Sequence, residues 1–426
     1  MAISTVELED KCFALVPNVL SEAEAYGRWN ALVAFDEDGT PLDWVRAHDG
    51  DFFPESYRDY EDEIRKRRFQ PGYSGHPIRV DIDITQVCNA KCIFCFSRPY
   101  QTADYHGVSM GSADLRKVIR EFAERGTKTI RYCGGGEPLM HPEIEELLEF
   151  PGEFGLKLSL ITNGDFFDRP ICEKLVASVD NLHWSVNAAT DQTRVKLHRP
   201  GIGSNQLSES NRWIRWIGDA AKHRPSERPM LIWATYLLLP ENINEIVTAT
   251  LQMQDLGVKS ISFRPVYHGL HSKWTPAMIE QCKTALKDAR KFADPPNFYV
   301  FTTSRNPAVD DNLNPNDFFS YCFSRELRTV MESTQDGMQF QSCGQYRGNP
   351  ETSHGLDHGV NGFIHSWKDF MSKPSPRRAP GDCRNCIDVS MNVSLSFIDR
   401  MLSMNHSVTF VRAMLEGQGE WGGNCM

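Results

Sequence analysis

The sequence predicts an α/β fold, an open or incomplete barrel of parallel βα units, and two observations carry that prediction. Six short β-rich runs begin at Ile78 and are separated by helical patterns. Residues suited to chemistry also cluster directly after the first two runs, where the strand ends of such a fold gather its loops. The runs are 78–85, 129–133, 156–162, 181–187, 230–238 and 260–265. The helical patterns between them are 112–125, 141–150, 171–177, 209–223 and 243–256. Such parallel βα units imply right-handed crossovers and loops that gather at one end of the sheet.

The flanks read differently. Residues 1–75 form an N-terminal extension rich in acids and aromatics, with the turn-like Asp36-Glu37-Asp38-Gly39 and the charged run from Tyr60 to Arg68, and imply a small hairpin or helices. The barrel occupies 76–270, and 271–318 is a helix (276–292) followed by a Pro- and Asn-rich linker. Residues 319–426 hold a small cysteine-rich domain and a tail, too poorly periodic for an apolar core but suited to organisation by metal.

Composition narrows the function. The 46 Lys and Arg against 56 Asp and Glu give a formal charge of −10 with dispersed acids, which disfavours a nucleic-acid coat or a membrane-surface binder. The start MAISTVELEDKC lacks a basic region followed by an apolar run, and no segment approaches about 18 uninterrupted apolar residues. The expectation is a cytoplasmic protein without membrane spans. Its 12 cysteines are then too many to ignore and too unevenly placed for a disulfide ladder.

Cys88, Cys92 and Cys95 share a compact loop after the first strand, and three thiolates so placed can converge on one soft metal assembly. The residues alone leave open a structural zinc site with a distant fourth ligand, or three buried thiols. After the second strand comes Cys133-Gly134-Gly135-Gly136-Glu137-Pro138. Successive glycines let backbone approach a ligand and expose N–H groups to it, and Glu137 can accept from an ammonium; a turn needing positive φ would use the same letters. Cys133 itself reads as a small hydrophobe within the strand.

Together these motifs resemble the radical S-adenosylmethionine (SAM) enzymes over about residues 78–266, with Phe94 at the family's usual aromatic position before the third cysteine. The resemblance implies a partial (β/α)6 TIM-like barrel. It implies that Cys88, Cys92 and Cys95 ligate a [4Fe-4S] cluster whose open iron takes the amino and carboxylate groups of SAM, with Gly135, Gly136, Glu137 and Pro138 at the amino group. By the same analogy Asn163 faces the ligand, Ser185 and Asn187 lie near its ribose or carboxylate, and Arg264 is a carboxylate or substrate contact. For each of these a capping or turn-stabilising role stands as the alternative.

Cys322, Cys343, Cys383 and Cys386 form a second group around a turn at Asp336-Gly337 between short strands. Zinc remains an alternative on residue type. The pattern resembles the SPASM and twitch domains of some radical SAM enzymes and implies one auxiliary [4Fe-4S] cluster, structural or electron-transferring because four thiolates would saturate it. Cys425 is the most conspicuous unassigned cysteine and a candidate catalytic hydrogen donor, against the reading of a terminal cysteine without a role.

The resemblance further implies reductive cleavage of SAM, hydrogen abstraction from an unactivated C–H bond, and an external one-electron reductant such as flavodoxin or ferredoxin. The favoured outcome is epimerisation, crosslinking or dehydrogenation of a ribosomally made peptide. A sugar or aminoglycoside, acted on by a radical epimerase or dehydrogenase, is the alternative small-molecule substrate. A noncatalytic zinc-binding interaction protein is the alternative from a different class.

Overall fold

The computed structural model describes residues 57–73, 75–95, 107–201, 203–266, 274–295, 297–301, 327–334 and 337–341, and the backbone of 5–8, 11–14 and 353–355. The chain divides into two units, one of residues 1–76, 311–327 and 377–426, the other of 77–310 and 328–376.

In the first unit β1 (Thr5–Leu8) pairs antiparallel with β2 (Lys11–Ala14), and α1 spans Tyr57–Phe69. The charged run is thus a helix, and its one buried acid explains how it ends. Glu63 accepts from Arg67 Nε (2.8 Å), the Tyr73 hydroxyl (2.5 Å) and the His76 amide (3.0 Å), tying Tyr73 and His76 back to the helix. Tyr73 and Arg67 outweigh burial and hold the Glu63 carboxyl below its usual range.

The second unit is built on one mixed sheet. Seven strands run parallel in chain order: β3 (Arg79–Asp83), β4 (Thr129–Cys133), β5 (Lys157–Thr162), β6 (Asn181–Ser185), β7 (Leu231–Leu238), β8 (Ser260–Pro265) and β9 (Tyr299–Phe301). The six predicted runs are β3 to β8. Beyond β3 the sheet continues with β10 (Arg328–Thr334), parallel to β3, then β11 (Gly337–Gln341) and β12 (Ser353–Gly355), both antiparallel to their neighbours. The strands flanking Asp336-Gly337 are therefore present and extend the same sheet as the βα units.

Helices α2 (Ser112–Arg125), α3 (Ile144–Leu147), α4 (Phe150–Glu153), α5 (Arg169–Ser178), α6 (Asp191–His198), α7 (Leu207–Ala221), α8 (Ile246–Asp255) and α9 (Pro276–Arg290) follow in order. In α2, Leu115, Val118, Ile119 and Phe122 fall at helical spacing on one buried stripe. Gly126 at φ 109° then ends the helix in a conformation that disfavours a side chain. The single helix expected over 141–150 is instead α3 and α4. Pro151 has no N–H to donate back to the Leu147 carbonyl, so the hydrogen-bond ladder breaks there although Leu148 and Glu149 keep right-handed helical backbone. Helix α6 was not predicted. Its signals are the Thr190 cap, whose hydroxyl accepts from the Thr193 amide at 3.2 Å, and Pro200 just past its end.

Alternation sorts the strands into two faces. In β3, Val80 and Ile82 join the hydrophobic core beneath α2, while Arg79, Asp81 and Asp83 occupy the opposite face. The core continues through Ile130, Tyr132, Leu158, Leu160, Leu182, Trp184, Ala234, Tyr236, Ile261 and Phe263.

Candidate functional site

The cysteine loop leaves β3 and is held by two neighbours. On one side it pairs with the end of α6: the Lys91 amide donates to the His198 carbonyl (3.0 Å), the Ile93 amide to the Leu197 carbonyl (2.9 Å), and the Gly201 amide to the Asn89 carbonyl (2.8 Å). Phe94 meets His198 edge to face at 5.4 Å. On the other side the Gly136 amide donates to the Thr85 carbonyl (3.0 Å) and the Glu137 amide to the Val87 carbonyl (2.8 Å). The glycine segment and the approach to Cys88 are thus joined backbone to backbone.

That join explains the glycines. A Cβ on Gly135 would stand 1.4 Å from Gln86 Oε1, and one on Gly136 would stand 2.1 Å from the Val87 carbonyl oxygen. None of Gly134, Gly135 and Gly136 has a positive φ. Close approach of the Val87 backbone to Gly136 and of the Gln86 side chain to Gly135, rather than an unusual turn, favours small residues here. The N–H groups of Gly136 and Glu137 are spent on the cysteine loop instead of standing exposed.

Glu137 is buried, and both its oxygens are engaged. Oε1 accepts from the Thr162 hydroxyl (2.7 Å) and the Leu139 amide (3.1 Å), and Oε2 from the Asn163 amide (2.8 Å). Burial outweighs these bonds and raises its carboxyl to about 7. Pro138 opens a short 3-10 turn over Pro138–Met140 that Glu137 caps. Asn163 donates through Nδ2 to Asn89 Oδ1 (2.9 Å), and Asn89 Nδ2 donates to Asp165 Oδ2 (2.7 Å). The carboxylate of Asp165 is in turn paired with the buried Arg194 of α6. Sequence reasoning missed this relay of Asn89, Asp165 and Arg194.

The remaining candidates lie along the later strands. Ser185, half-buried, ends β6 in register with Thr235. Asn187, buried at φ 54°, accepts from the Leu237 amide through Oδ1 (2.8 Å), and its Nδ2 faces His198 Nε2 at 3.3 Å. It braces β6 against β7. Arg264, half-buried on β8, donates from Nε to Ser262 Oγ (3.0 Å). Cys133 donates to Asp83 Oδ1 at 3.4 Å, so it faces polar groups rather than acting as a hydrophobe. Cys322, Cys343, Cys383, Cys386 and Cys425 lie outside the described residues.

Cys88, Cys92 and Cys95 are half-buried, and none of them is in a disulfide. Burial, reinforced by the neighbouring Glu137 carboxylate and Cys95, pushes the Cys88 thiol up to about 12. Burial and the other two cysteines hold Cys92 well above its usual range. Cys88 and Cys92 so placed ionise together only against a positive charge, and among soft centres an iron-sulfur cluster provides it. The donor set fits such a group. Among the described residues no three His, Cys, Asp or Glu side chains converge closely enough for a single metal ion, and no helix is long and apolar enough to cross a membrane.

Comparison with known proteins gives the same reading. Residues 82–253 match the Radical SAM superfamily. The chain is 29% identical over 121 residues to an S-adenosylmethionine-dependent nucleotide dehydratase of Selenomonas ruminantium, covering 28% of this chain and 42% of that one. It is 32% identical over 112 residues to an AdoMet-dependent heme synthase of Methanosarcina barkeri, covering 26% and 31%. It therefore spans less than half the length of these curated relatives. Among solved structures, Streptococcus suis SuiB bound to S-adenosylmethionine superposes with a TM-score of 0.55 at 14% identity, over 80% of this chain and 78% of that one. Native anSMEcpe with bound AdoMet gives 0.52 at 14%, over 74% and 88%. The structural likeness supports a shared fold of the radical SAM partial-barrel kind. The superfamily match contains the three-thiol loop, the glycine segment and strands β4 to β7, so residues 82–253 form a radical SAM core domain.

Proposed function

We propose that this enzyme cleaves SAM reductively and uses the product to modify a ribosomally made peptide. The observation that carries the reading is the junction of the two motifs: three cysteines outside any disulfide on a loop whose backbone is bonded to the Gly134–Pro138 segment. When bound, a [4Fe-4S] cluster with SAM supplies one electron to the sulfonium and so a 5'-deoxyadenosyl radical able to take hydrogen from an unactivated C–H bond. Cys88, Cys92 and Cys95 would hold three irons. Asn163, Ser185 and Arg264 are the proposed ligand contacts, while Glu137 and Asn187 act by fixing the loops around them. The chain's task is to orient the target hydrogen and exclude other donors.

The peptide assignment draws weak support from the likeness to SuiB, described in one structure as bound to its precursor peptide SuiA, at a TM-score of 0.51 and 14% identity over 79% of this chain and 70% of that one. The fate of the modified residue, whether epimerised, crosslinked or dehydrogenated, belongs to the same proposal. So do an external flavodoxin- or ferredoxin-like reductant, an auxiliary cluster on Cys322, Cys343, Cys383 and Cys386, and hydrogen return by Cys425. The domain scheme behind them is an extension at 1–75, a core at 76–270, a helix and linker at 271–318, and an auxiliary region at 319–426.

Anaerobic reconstitution tests the proposal. The expected result is about eight irons with matching sulfide, two four-iron clusters, and 5'-deoxyadenosine formed under reduction. Replacing Cys88, Cys92 and Cys95 together by Ala should remove about half the iron, the share of one of two such clusters, and abolish 5'-deoxyadenosine. Zinc in place of iron, or iron without SAM cleavage, would overturn it. Mass change and deuterium incorporation with candidate peptides and sugars then separate the two substrate classes.

A further inference from the structure

The sheet face opposite the helices carries most of the buried charged and polar side chains of the strands. By register Glu332 of β10, Asp83 of β3 and Cys133 of β4 stand abreast, as do Ile161, His183 and Trp233 of β5, β6 and β7. The row beneath carries Asp81, Arg131, Ser159 and Asn181. Such a face is costly unless its charges are matched. Asp81 answers two of the cations, Arg79 Nε at 2.8 Å and Arg131. By register four arginines (Arg79, Arg131, Arg264 and Arg328) and the exposed Lys157 fall on this face with three carboxylates (Asp81, Asp83 and Glu332), a formal excess of two positive charges.

Arg264 carries part of this excess. No carboxylate among the described residues is within ion-pair distance of Arg264, and its guanidinium lies over the Trp233 ring at 5.7 Å. His183 stacks on Trp233 at 3.8 Å between ring centroids. Its Nε2 meets the Thr235 hydroxyl, whereas its buried Nδ1 has no hydrogen-bond partner although the residue is only 7% exposed. Burial, with Arg264, Arg131 and Arg79 nearby, keeps this imidazole neutral. If the Thr235 hydroxyl donates to Nε2, Nδ1 carries the proton and becomes a donor. A half-buried guanidinium with no carboxylate partner among the described residues and an unmet imidazole nitrogen, each packed against the Trp233 indole, are complementary to an oxyanion.

We propose that Arg264, with His183 and Ser262 beside it, receives a carboxylate or phosphate group of the substrate. This deepens the proposed function and rests on it, since the ligand is taken to be the molecule on which the radical acts. Arg264 stands three strands beyond β5, whose end is tied to the cysteine loop through Asn163, so the two ends of the substrate pocket divide the work. A cationic aminoglycoside is disfavoured by the same excess charge.

The test uses the full chain, anaerobically reconstituted and saturated with SAM, and two probes, pyrophosphate and succinate, titrated calorimetrically. One of them should bind, and its identity distinguishes phosphate from carboxylate. Arg264→Gln should weaken it at least tenfold and by more than it weakens SAM, with Arg264→Lys intermediate, while Arg212→Gln on exposed α7 leaves it unchanged. The proposal is overturned if neither probe binds, if Arg264→Gln binds as the parent does, or if SAM binding falls by as much as probe binding, which would make Arg264 a cofactor contact. Formation of 5'-deoxyadenosine by the unsubstituted protein is scored separately. Its absence would remove the radical reading while leaving an Arg264-dependent anion site standing.

Discussion

The two faces of one sheet follow opposite rules. Toward the helices, Val80, Ile82, Ile130, Leu158 and Leu182 meet the Leu115–Phe122 stripe of α2 and its neighbours, and burial of apolar area holds them. Toward the other side, Arg79, Asp81, Asp83, Arg131 and His183 are nearly as inaccessible, yet each is charged or polar. The first face stabilises the fold without choosing a ligand. The second gives up stability for a surface of directed donors and acceptors, which is what a substrate pocket needs.

Paired substitutions sharpen this contrast and carry the largest effects on stability. On the apolar face Phe122→Ala should cost about 3–5 kcal/mol through lost contact and the cavity left behind. On the polar face Asp81→Asn should cost a similar ~3–5 kcal/mol, because the guanidinia of Arg79 and Arg131 lose their shared carboxylate. The faces part company on repair. Replacing Asp81, Arg79 and Arg131 together by apolar residues of similar volume should recover most of the loss in urea denaturation and abolish turnover. If the triple variant stays as unstable as Asp81→Asn, the polar face holds the fold together and the contrast drawn here fails.

The sequence made the apolar face and the loops legible, and left the polar face unread. Runs such as Arg79-Val80-Asp81-Ile82-Asp83 already alternate, so the charged positions could have been assigned to a second face. They were not, because a β-rich run with acids in it looks the same whether its polar side meets solvent or a pocket. The spacing of Cys88, Cys92 and Cys95 was readable because one loop supplies all three. The Asn89, Asp165 and Arg194 relay was not, since its members come from three separate segments that only the fold brings together. The glycines were visible but their nearest partner was not: no local pattern shows that Gln86 and Val87 would press against them.

Acid should probe the same division with a smaller effect. His183 on the polar face and His198 beneath the cysteine loop are both held well below their usual range by burial and neighbouring arginines. Between that depressed value and about 6.5, the unfolded chain binds more protons, so stability falls as pH drops through this window. Glu137 opposes the trend, because its raised carboxyl favours the folded state as pH falls from about 7 toward 4.5. Two histidines outweigh one carboxyl, and urea midpoints should decline from pH 7.5 to 5.5. His183→Gln should flatten that decline, and an unchanged slope would mean the polar face does not hold its imidazole neutral.

The smallest effect tests whether the cysteine loop inherits its order from the helix beside it. Thr190 caps α6 through the Thr193 amide and also donates to Glu245 Oε1 at 2.7 Å, so one hydroxyl ties the helix start to the turn leading into α8. Thr190→Ala should cost about 1 kcal/mol, the usual worth of a cap. The Lys91 and Ile93 amides are bonded to the carbonyls of the last turn of α6, so fraying should pass to the loop and speed amide hydrogen exchange at Lys91 and Ile93 more than at Ile82 in β3. Equal exchange at all three, alongside the expected loss of stability, would mean that Gly136 and Glu137 alone suffice to hold the loop, and that α6 contributes only to the apolar side.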